Sequence, residues 1–378
     1  MKQASEFGNT LNSKVPIAFV GPFPLPITGQ TVTTDYLFEL CKRAGFVVNK
    51  QNIVRGNTRF GIVNTCIRLC RIVRCCFFLF ILRFKGASLA YISVDADKGL
   101  YVTILISFIA RFLNYKIVFH HHAFNYLTRR LRRMVILCKV SGPTSTHISI
   151  CKTMSDRAAN IYPEIRNHFT LTNALTLEPI SSNSIASRAT GHSFRLGFLS
   201  RLSEVKGANV AIQVFEKLKN QFGVNVSIVI AGPSTPDINN QLLEKHVQLY
   251  KDGSFKAPGM LLGQEKDEFY RSIDIFLFPT KYVNETQGIV NLEAMAHGVP
   301  VVAYGRCCIP SDIGKDGGVV VKVGDNFVDS AVKVILGFID NPKSHLESRY
   351  KALNQFQVLK KQSEDELGKF FDLLNSNS

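Results

Sequence analysis

The chain has 378 residues, of which 46% are hydrophobic and 20% are charged. This length and composition exclude an intrinsically disordered protein and fit two folded domains of about 150 to 200 residues each. The net charge is +16, and all of the excess lies in residues 1–190, which contain 24 Lys and Arg against 8 Asp and Glu.

The first part of the chain alternates apolar segments with helical ones, a pattern typical of a parallel sheet wrapped by helices. Residues 15–20 predict the first strand, followed by a loop at 21–30 and a helix over about 31–44. Further strands are predicted at residues 89–94, 116–120 and 147–150. Together these segments form a predicted N-terminal domain, residues 14–178.

A second domain is predicted after residues 175–192, a stretch rich in Ser, Thr, Asn and Pro that is typical of an interdomain linker. The predicted strands of this domain, residues 193–350, are residues 195–199, 226–231, 260–262, 273–278 and 299–303. Residues 347–374 predict a final pair of helices. The fold class is therefore α/β, with two Rossmann-like domains.

Two cations follow the first strand of the second domain. Arg201 and Lys206 are five residues apart, and a helix is expected to begin at Gly207. Positive charge and the N–H groups of a helix N-terminus are what a diphosphate requires. The alternative is that these cations are simply solvated.

Two carboxylates, Glu285 and Glu293, flank the start of a predicted helix further along the chain. Glu293 lies about two turns inside that helix beside small apolar residues, where a carboxylate needs hydrogen-bond donors such as the hydroxyls of a ribose. The N–H groups of residues 286–288 are expected to hold a second phosphate or a sugar hydroxyl. The alternatives are a partly buried salt bridge for Glu293 and an ordinary helix-start carboxylate for Glu285.

In order and spacing these residues resemble glycosyltransferase family 4. The resemblance is carried by Arg201 with Lys206 and Gly207, by Glu285 and Glu293 in a Glu-x7-Glu pair, and by residues 293–303. It implies a GT-B fold, in which two Rossmann-like domains face each other across a cleft, and transfer with retention of the anomeric configuration. Residues 351–378 are then expected to pack on the N-terminal domain.

The resemblance also implies a role for each candidate residue. Arg201 and Lys206 would neutralise the donor diphosphate, Glu285 would contact hydroxyls of the donor sugar, and Glu293 would contact the ribose. His122, at the end of a predicted strand, would lie near the donor sugar as the fourth member of the catalytic set. The other implied donor-binding residues are Gly29, Gln30, Gly263, Thr286, Gln287, Gly288 and Ile289.

Two further patterns suggest a metal ion, namely the three histidines at residues 120–122 and the pair Asp95 and Asp97. Neighbouring strand residues point to opposite faces, and no other ligands stand at useful spacing. Asp95 and Asp97 precede a predicted helix, so capping is the simpler interpretation. No metal and no other cofactor is predicted. An ordinary cleft-lining or core residue is the alternative role for His122.

The charge excess predicts an anionic partner for the N-terminal half. Arg68, Arg71 and Arg74 lie at three-residue spacing within the apolar segment 62–84 and fall along one side of a helix, and a second basic stretch follows at 128–134. Such a segment suits the headgroup region of an anionic membrane, whereas nucleic acid is disfavoured because no binding module accompanies the charge. The alternative is that the apolar side packs on the sheet and the arginines are solvated.

The predicted function is a retaining hexosyltransferase that uses a nucleoside-diphosphate sugar. The expected acceptor is a lipid-linked saccharide in the synthesis of a bacterial surface polysaccharide: O-antigen, capsule or lipopolysaccharide. We expect a cytoplasmic protein, peripheral on the cytoplasmic face of the inner membrane, because no apolar run reaches the length of a membrane span and the first 14 residues lack the core of a secretory signal. The alternatives are a nucleotide-sugar epimerase or hydrolase of the same fold and a non-catalytic, membrane-associated binding subunit.

Overall fold

The computed structural model describes residues 15–25, 28–54, 61–186, 193–235 and 240–376. The chain forms two compact units. The N-terminal unit runs to Thr176 and includes the chain from Gln362 onward, and the C-terminal unit is Leu177–Lys361. Each unit contains a six-stranded parallel sheet with helices, so the predicted α/β class with two Rossmann-like domains is confirmed.

The sheet of the N-terminal unit has the strand order β2-β1-β3-β4-β5-β6. Its strands are β1 (Ile17–Gly21), β2 (Val48–Asn52), β3 (Leu89–Val94), β4 (Lys116–His121), β5 (Thr146–Ser149) and β6 (Asn167–Thr170). Its helices are α1 (Gly29–Arg43), α2 (Gly61–Phe84), α3 (Leu100–Phe112), α4 (Arg132–Ser141) and α5 (Lys152–Ile161). The central strands β1 and β3 are buried along their whole length, as expected of a parallel sheet covered on both faces.

The sheet of the C-terminal unit has the strand order β12-β11-β10-β7-β8-β9. Its strands are β7 (Phe194–Leu199), β8 (Val226–Ala231), β9 (Phe255–Gly259), β10 (Ile275–Phe278), β11 (Val301–Tyr304) and β12 (Gly318–Val321). Its helices are α6 (Asn183–Ala186), α7 (Ala208–Glu216), α8 (Asn240–Leu249), α9 (Gly263–Ser272), α10 (Ile289–Ala296), α11 (Ile309–Ile313) and α12 (Phe327–Asp340).

The last helix, α13 (Pro342–Asn375), begins in the C-terminal unit and ends in the N-terminal one. Near its end, Phe370 and Phe371 pack into the same apolar cluster as Phe19, Tyr91 and Val118 of the N-terminal sheet. The sequence predicted two helices over residues 347–374, and this prediction is wrong because no break interrupts α13.

Three strands were missing from the sequence prediction, and one was misplaced. The missing strands β2, β6 and β12 are all edge strands. The strand predicted at residues 260–262 lies instead at β9, which is also an edge strand. An edge strand is covered on fewer sides, so its sequence need not carry the continuous apolar run that marks a central strand.

The basic apolar segment 62–84 forms α2 as predicted, and two of the three arginines singled out in it are half-buried and bind partners within the N-terminal unit. Arg68 forms an ion pair of 3.1 Å with Asp95, and Arg71 donates a hydrogen bond to the carbonyl oxygen of Val54. Arg74 is exposed. The alternative interpretation, in which all three arginines are solvated, is therefore wrong for Arg68 and Arg71. Over the described ranges of the chain, no helix combines the length and apolar character that a membrane span requires.

Candidate active site

A short turn after β7 positions Lys206. Residues Glu204–Lys206 form a 3-10 turn, and Gly207 then adopts a left-handed conformation with φ of +86°. A side chain at Gly207 would collide with the carbonyl oxygen of Pro279, so a glycine is required where this turn packs against the loop after β10. The backbone N–H of Lys281 donates to the carbonyl of Val205 at 2.7 Å and holds the two loops together.

The ammonium group of Lys206 lies 2.5 Å from the Glu285 carboxylate. Both side chains are largely buried, with 20% and 11% of their surfaces exposed. Thr280 donates to the same carboxylate oxygen at 3.3 Å, and the Lys206 ammonium lies 4.5 Å from the centroid of the Tyr282 ring. This arrangement holds a cation and a carboxylate in fixed positions at the carboxyl ends of β7 and β10.

The second predicted carboxylate, Glu293, lies inside α10 with only 6% of its surface exposed. Its two oxygens accept from the Lys266 ammonium at 2.6 Å and from the Tyr270 hydroxyl at 2.8 Å. Burial, followed by the neighbouring Glu293 charge, raises the pKa of Tyr270 well above its usual value. The hydroxyl therefore stays protonated and donates a hydrogen bond to Glu293. The partly buried salt bridge foreseen as the alternative for Glu293 is therefore present.

The loop between the two glutamates leads directly into α10. Gly288, with φ of +61°, is the N-cap residue, and Ile289 is the first residue of the helix. Thr286 and Gln287 are buried just before it. Asp312 of α11 lies against Gln287, and burial raises the pKa of its carboxyl to about 8 although the hydrogen bond from Gln287 opposes this shift.

Two other predicted residues of this unit stand apart from these contacts. Arg201 is exposed and forms no ion pair within the described part of the chain. Gly263 is the first residue of α9, three positions before Lys266. The structure thus brings Lys206 together with Glu285, places Glu293 with Lys266, and leaves Arg201 at the surface.

His120 and His121 are buried at the end of β4, and His122, the next residue, is half-buried. The rings of His120 and His122 lie on the same face with centroids 4.2 Å apart, as strand alternation predicts. Burial, together with the neighbouring His121, lowers the pKa of His122 to about 3. His121 points the other way and contacts Tyr126 at 3.1 Å and His147 at 2.9 Å. His122 is therefore neutral at physiological pH.

The loop before α1 is partly described, since Pro26 and Ile27 lie outside the described residues. Gly29 is the first residue of α1, which Thr28 caps. The Gln30 side chain donates to the hydroxyl of Ser93 at 3.0 Å and to the carbonyl of Val94 at 3.3 Å. Gln30 therefore joins the start of α1 to the end of β3.

Neither Asp95 nor Asp97 occupies an N-cap position after β3, because these positions are Ala96 and Gly99. Asp97 begins a 3-10 turn whose N-cap residue is Ala96, without a side-chain hydrogen bond. Asp95 pairs instead with Arg68. The expectation that one of them is the N-cap residue is therefore wrong.

Several residues around the two glutamates were not predicted from the sequence. They are Thr280 and Tyr282 near Glu285, Lys266 and Tyr270 at Glu293, and Asp312 beside Gln287. One signal was present, because Lys266 and Tyr270 are four residues apart and so share one face of a helix. Nothing local in the sequence indicated that this face would pack against Glu293.

The part of the chain that carries this site matches a known family model. Residues 183–355 match the family model described as "Glycosyl transferases group 1". The chain is 31% identical over 109 residues to alpha-monoglucosyldiacylglycerol synthase of Streptococcus pneumoniae and 34% identical over 139 residues to D-inositol 3-phosphate glycosyltransferase of Corynebacterium jeikeium. The alignments cover 29% and 34% of this chain and only 23% and 33% of those two proteins.

Solved structures match over nearly the whole chain. Sucrose-phosphate synthase from Thermosynechococcus elongatus superposes with a TM-score of 0.69 at 15% identity, covering 97% of this chain and 100% of that one. HepE of Anabaena in complex with UDP superposes with a TM-score of 0.63 at 15% identity, covering 94% and 100%. The fold is therefore that of GT-B glycosyltransferases, and its C-terminal unit contains a domain that matches glycosyl transferases group 1.

Proposed function

We propose that the protein is a retaining glycosyltransferase of family 4 that transfers a hexosyl group from a nucleoside-diphosphate sugar. The observation that carries this proposal is the close pairing of Lys206 with Glu285 inside the segment that matches the group 1 family model. A cation fixed beside a carboxylate suits a donor whose diphosphate is negative and whose sugar presents hydroxyl groups.

Lys206 acts on the leaving group. When the bond between the sugar and the diphosphate breaks, negative charge increases on the diphosphate, and a cation already in place stabilises that charge. An ammonium group has three N–H donors, so Lys206 keeps its contact with Glu285 while donating to a phosphate oxygen. The exposed Arg201 guanidinium adds a second cation, and the N–H groups of Thr286, Gln287, Gly288 and Ile289 add hydrogen-bond donors at the start of α10.

Glu293 binds the ribose in this proposal. A carboxylate offers about four lone-pair positions, and Lys266 and Tyr270 use one on each oxygen. The remaining positions accept from the two hydroxyls of a ribose. Gly263 begins the helix that carries both partners of Glu293. We propose that its backbone contacts the nucleotide base.

The resemblance also implies donor contacts by His122, Gly29 and Gln30 of the N-terminal unit, and the proposal retains these three residues. His122 is neutral because burial lowers its pKa to about 3, and it hydrogen-bonds a donor-sugar hydroxyl without adding charge. Gly29 lies where the loop after β1 leads into α1. Gln30 holds this start of α1 in place through its contacts with the end of β3. The proposal includes no metal ion and no other cofactor.

The acceptor in this proposal is a lipid-linked saccharide used in bacterial surface polysaccharide synthesis. The charge excess of the N-terminal half supports an anionic partner, and a membrane is preferred to nucleic acid because no nucleic-acid-binding module accompanies the charge. One relative is named for the synthesis of a glucosylated diacylglycerol, a lipid product. The protein accordingly works in the cytoplasm, peripherally bound to the cytoplasmic face of the inner membrane.

The test begins with a screen of UDP-, GDP- and ADP-sugars for binding and slow hydrolysis. With the donor found, Lys206→Met and Glu285→Gln are compared with Lys281→Met, which changes an exposed lysine of the neighbouring loop. We expect Lys206→Met to lower kcat by about 10² to 10³ and also to lower stability, because Glu285 loses its cation, whereas the Lys281→Met control stays within about twofold of wild type in kcat.

The same measurements address the alternatives. Full turnover by Lys206→Met and Glu285→Gln contradicts the proposal, and no turnover by wild type indicates a non-catalytic binding subunit. Rapid conversion of the donor without any acceptor indicates a hydrolase or an epimerase of the same fold.

A further inference from the structure

The helices α2 and α3 of the N-terminal unit present large apolar side chains to the outside. The exposed members on α2 are Leu69, Val73, Phe77, Phe80, Ile81 and Phe84, with 48% to 77% of each residue accessible. Those on α3 are Tyr101, Leu105, Phe108 and Phe112, with 45% to 76% accessible. These ten residues are called the apolar face below. The two helices that carry the apolar face contact each other.

The apolar face is not needed for packing against the sheet. On α2 the inward side is filled by Cys75, Leu79 and Leu82, which are at most 5% exposed. A helix that is apolar on every side is normally buried in a large core or in lipid. Monomeric proteins rarely expose extended apolar patches, and those that do use them for binding.

Cations adjoin the apolar face. Arg74 follows Val73, Lys85 follows Phe84, and Arg111 precedes Phe112, and all three cations are exposed. They form no ion pair within the described residues. On α4, which contacts α3, the Arg133 guanidinium lies 5.3 Å from the centroid of the Tyr101 ring. The surface therefore combines exposed aromatic and aliphatic groups with unneutralised positive charge.

We propose that the apolar face inserts into an anionic lipid bilayer, with its phenylalanines among the upper acyl chains and the adjoining cations on lipid phosphates. This inference deepens the proposed function, because it identifies the surface and the mode of contact through which a lipid-linked acceptor is reached. It differs from attraction by charge alone, since on α2 Arg68 and Arg71 bind partners within the unit while Phe77, Phe80 and Phe84 are exposed.

The charges favour a bilayer over a second copy of this chain. In a symmetric dimer the same patch meets itself, so Arg74, Lys85 and Arg111 of both copies would border one interface. Like charges in an interface oppose association. In an anionic bilayer the headgroups complement the cations at the edge of the apolar face. The acyl chains beneath them complement its apolar side chains.

The test is flotation with vesicles of phosphatidylcholine alone and of phosphatidylcholine with phosphatidylglycerol. Wild type is compared with Phe77→Ser/Phe80→Ser/Phe108→Ser and with a matched control, Phe222→Ser, which changes a 51% exposed phenylalanine of the C-terminal unit. Circular dichroism confirms folding of each variant. We expect the triple variant to lose at least about 100-fold in partitioning to anionic vesicles, and Phe222→Ser to partition like wild type.

Salt and charge variants separate insertion from simple attraction. Raising the salt from about 0.1 to 0.5 M weakens wild-type binding without abolishing it, because salt screens the charges but not the insertion. Lys85→Glu/Arg111→Glu weakens binding to anionic vesicles and leaves binding to neutral vesicles unchanged. Flotation of the triple serine variant at wild-type level overturns the inference. So does a wild type that fails to float, or one that dimerises through this face instead.

Failure of the inference can be distinguished from failure of the proposed function. Lys206→Met is expected to float like wild type, and the triple serine variant is expected to hydrolyse donor in solution like wild type. Flotation without donor turnover would contradict the proposed function alone. Donor turnover without flotation would contradict the inference alone.

Discussion

Asp312 makes the stability of the C-terminal unit depend on pH in a direction unusual for a carboxyl group. It is 3% exposed, its Oδ2 atom has no hydrogen-bond partner within the described residues, and burial raises its pKa to about 8. The carboxyl is therefore protonated in the folded protein at pH 7. In the unfolded chain the same group ionises near pH 3.9.

The sign of the effect follows from where each state binds its proton. Between about pH 4 and 8 the folded state retains a proton that the unfolded state has lost, so the free energy of unfolding falls as the pH rises. The slope is about 1.4 kcal/mol per pH unit, which amounts to about 4 kcal/mol between pH 5 and pH 8. The full contribution of Asp312 is present below about pH 4 and is lost by about pH 8.

The substitution Asp312→Asn removes the titration and keeps an oxygen that accepts from Gln287. Thermal unfolding of wild type and variant is measured at half-unit steps from pH 5 to 8.5, with Asp316→Asn, an exposed carboxyl nearby, as control. Relative to wild type, Asp312→Asn is expected to gain stability steadily with pH, by about 2 to 4 °C in Tm for each kcal/mol. Curves for wild type and Asp312→Asn that remain parallel across this range would refute the reasoning.

Three further predictions concern other parts of the two units. Tyr270→Phe removes a hydrogen bond to the buried Glu293 carboxylate and should lower the free energy of unfolding by about 1.5 to 3 kcal/mol in urea titrations. Gly207→Ala combines a positive φ with a collision at Pro279, so calorimetry should show both a lower Tm and weaker donor binding. Gly223→Ala has a positive φ but open space around it, so it should lower Tm by a smaller amount and leave donor binding unchanged. Burial lowers the pKa of His121 to about 3, so the folded N-terminal unit should lose stability as the pH falls below about 6.5, and His121→Gln should reduce that loss in acid titrations followed by circular dichroism.

The sequence allowed the central strands to be predicted and not the edges of the sheets. The strands β3 and β8 have the predicted bounds because they are long apolar runs between turn residues. The edge strand β2 has the sequence VNKQN, which resembles a loop, and β9 contains Pro258 and Gly259. These segments become strands only because a central strand is already in place to pair with them, and local sequence carries no record of that partner.

For the candidate site, the sequence allowed the location of the main residues to be predicted but not all of their contact partners. The order of Lys206, Glu285 and Glu293 along the chain indicated the carboxyl ends of parallel strands, where such folds bind ligands. The pairing of Lys206 with Glu285 then depends on Gly207, which lets two loops approach each other. Lys266 was not predicted as a partner of Glu293, since 27 residues separate them and only the packing of α9 beside α10 brings them together.

Helix α2 shows why periodicity alone could not decide which side faces outward. Its sequence is apolar around most of the circumference, so a helical wheel identifies a row of arginines but leaves open whether that row lies inside or outside. Asp95, 27 residues beyond Arg68, pairs with it at 3.1 Å. This ion pair favours the rotation of α2 about its axis that turns Arg68 toward Asp95. An arginine turned inward to an acceptor costs less than one buried without a partner. The rotation of α2 that pairs Arg68 with Asp95 therefore also exposes Phe77 and Phe84. This explains why a segment that the sequence analysis singled out for its arginines presents apolar side chains at the surface.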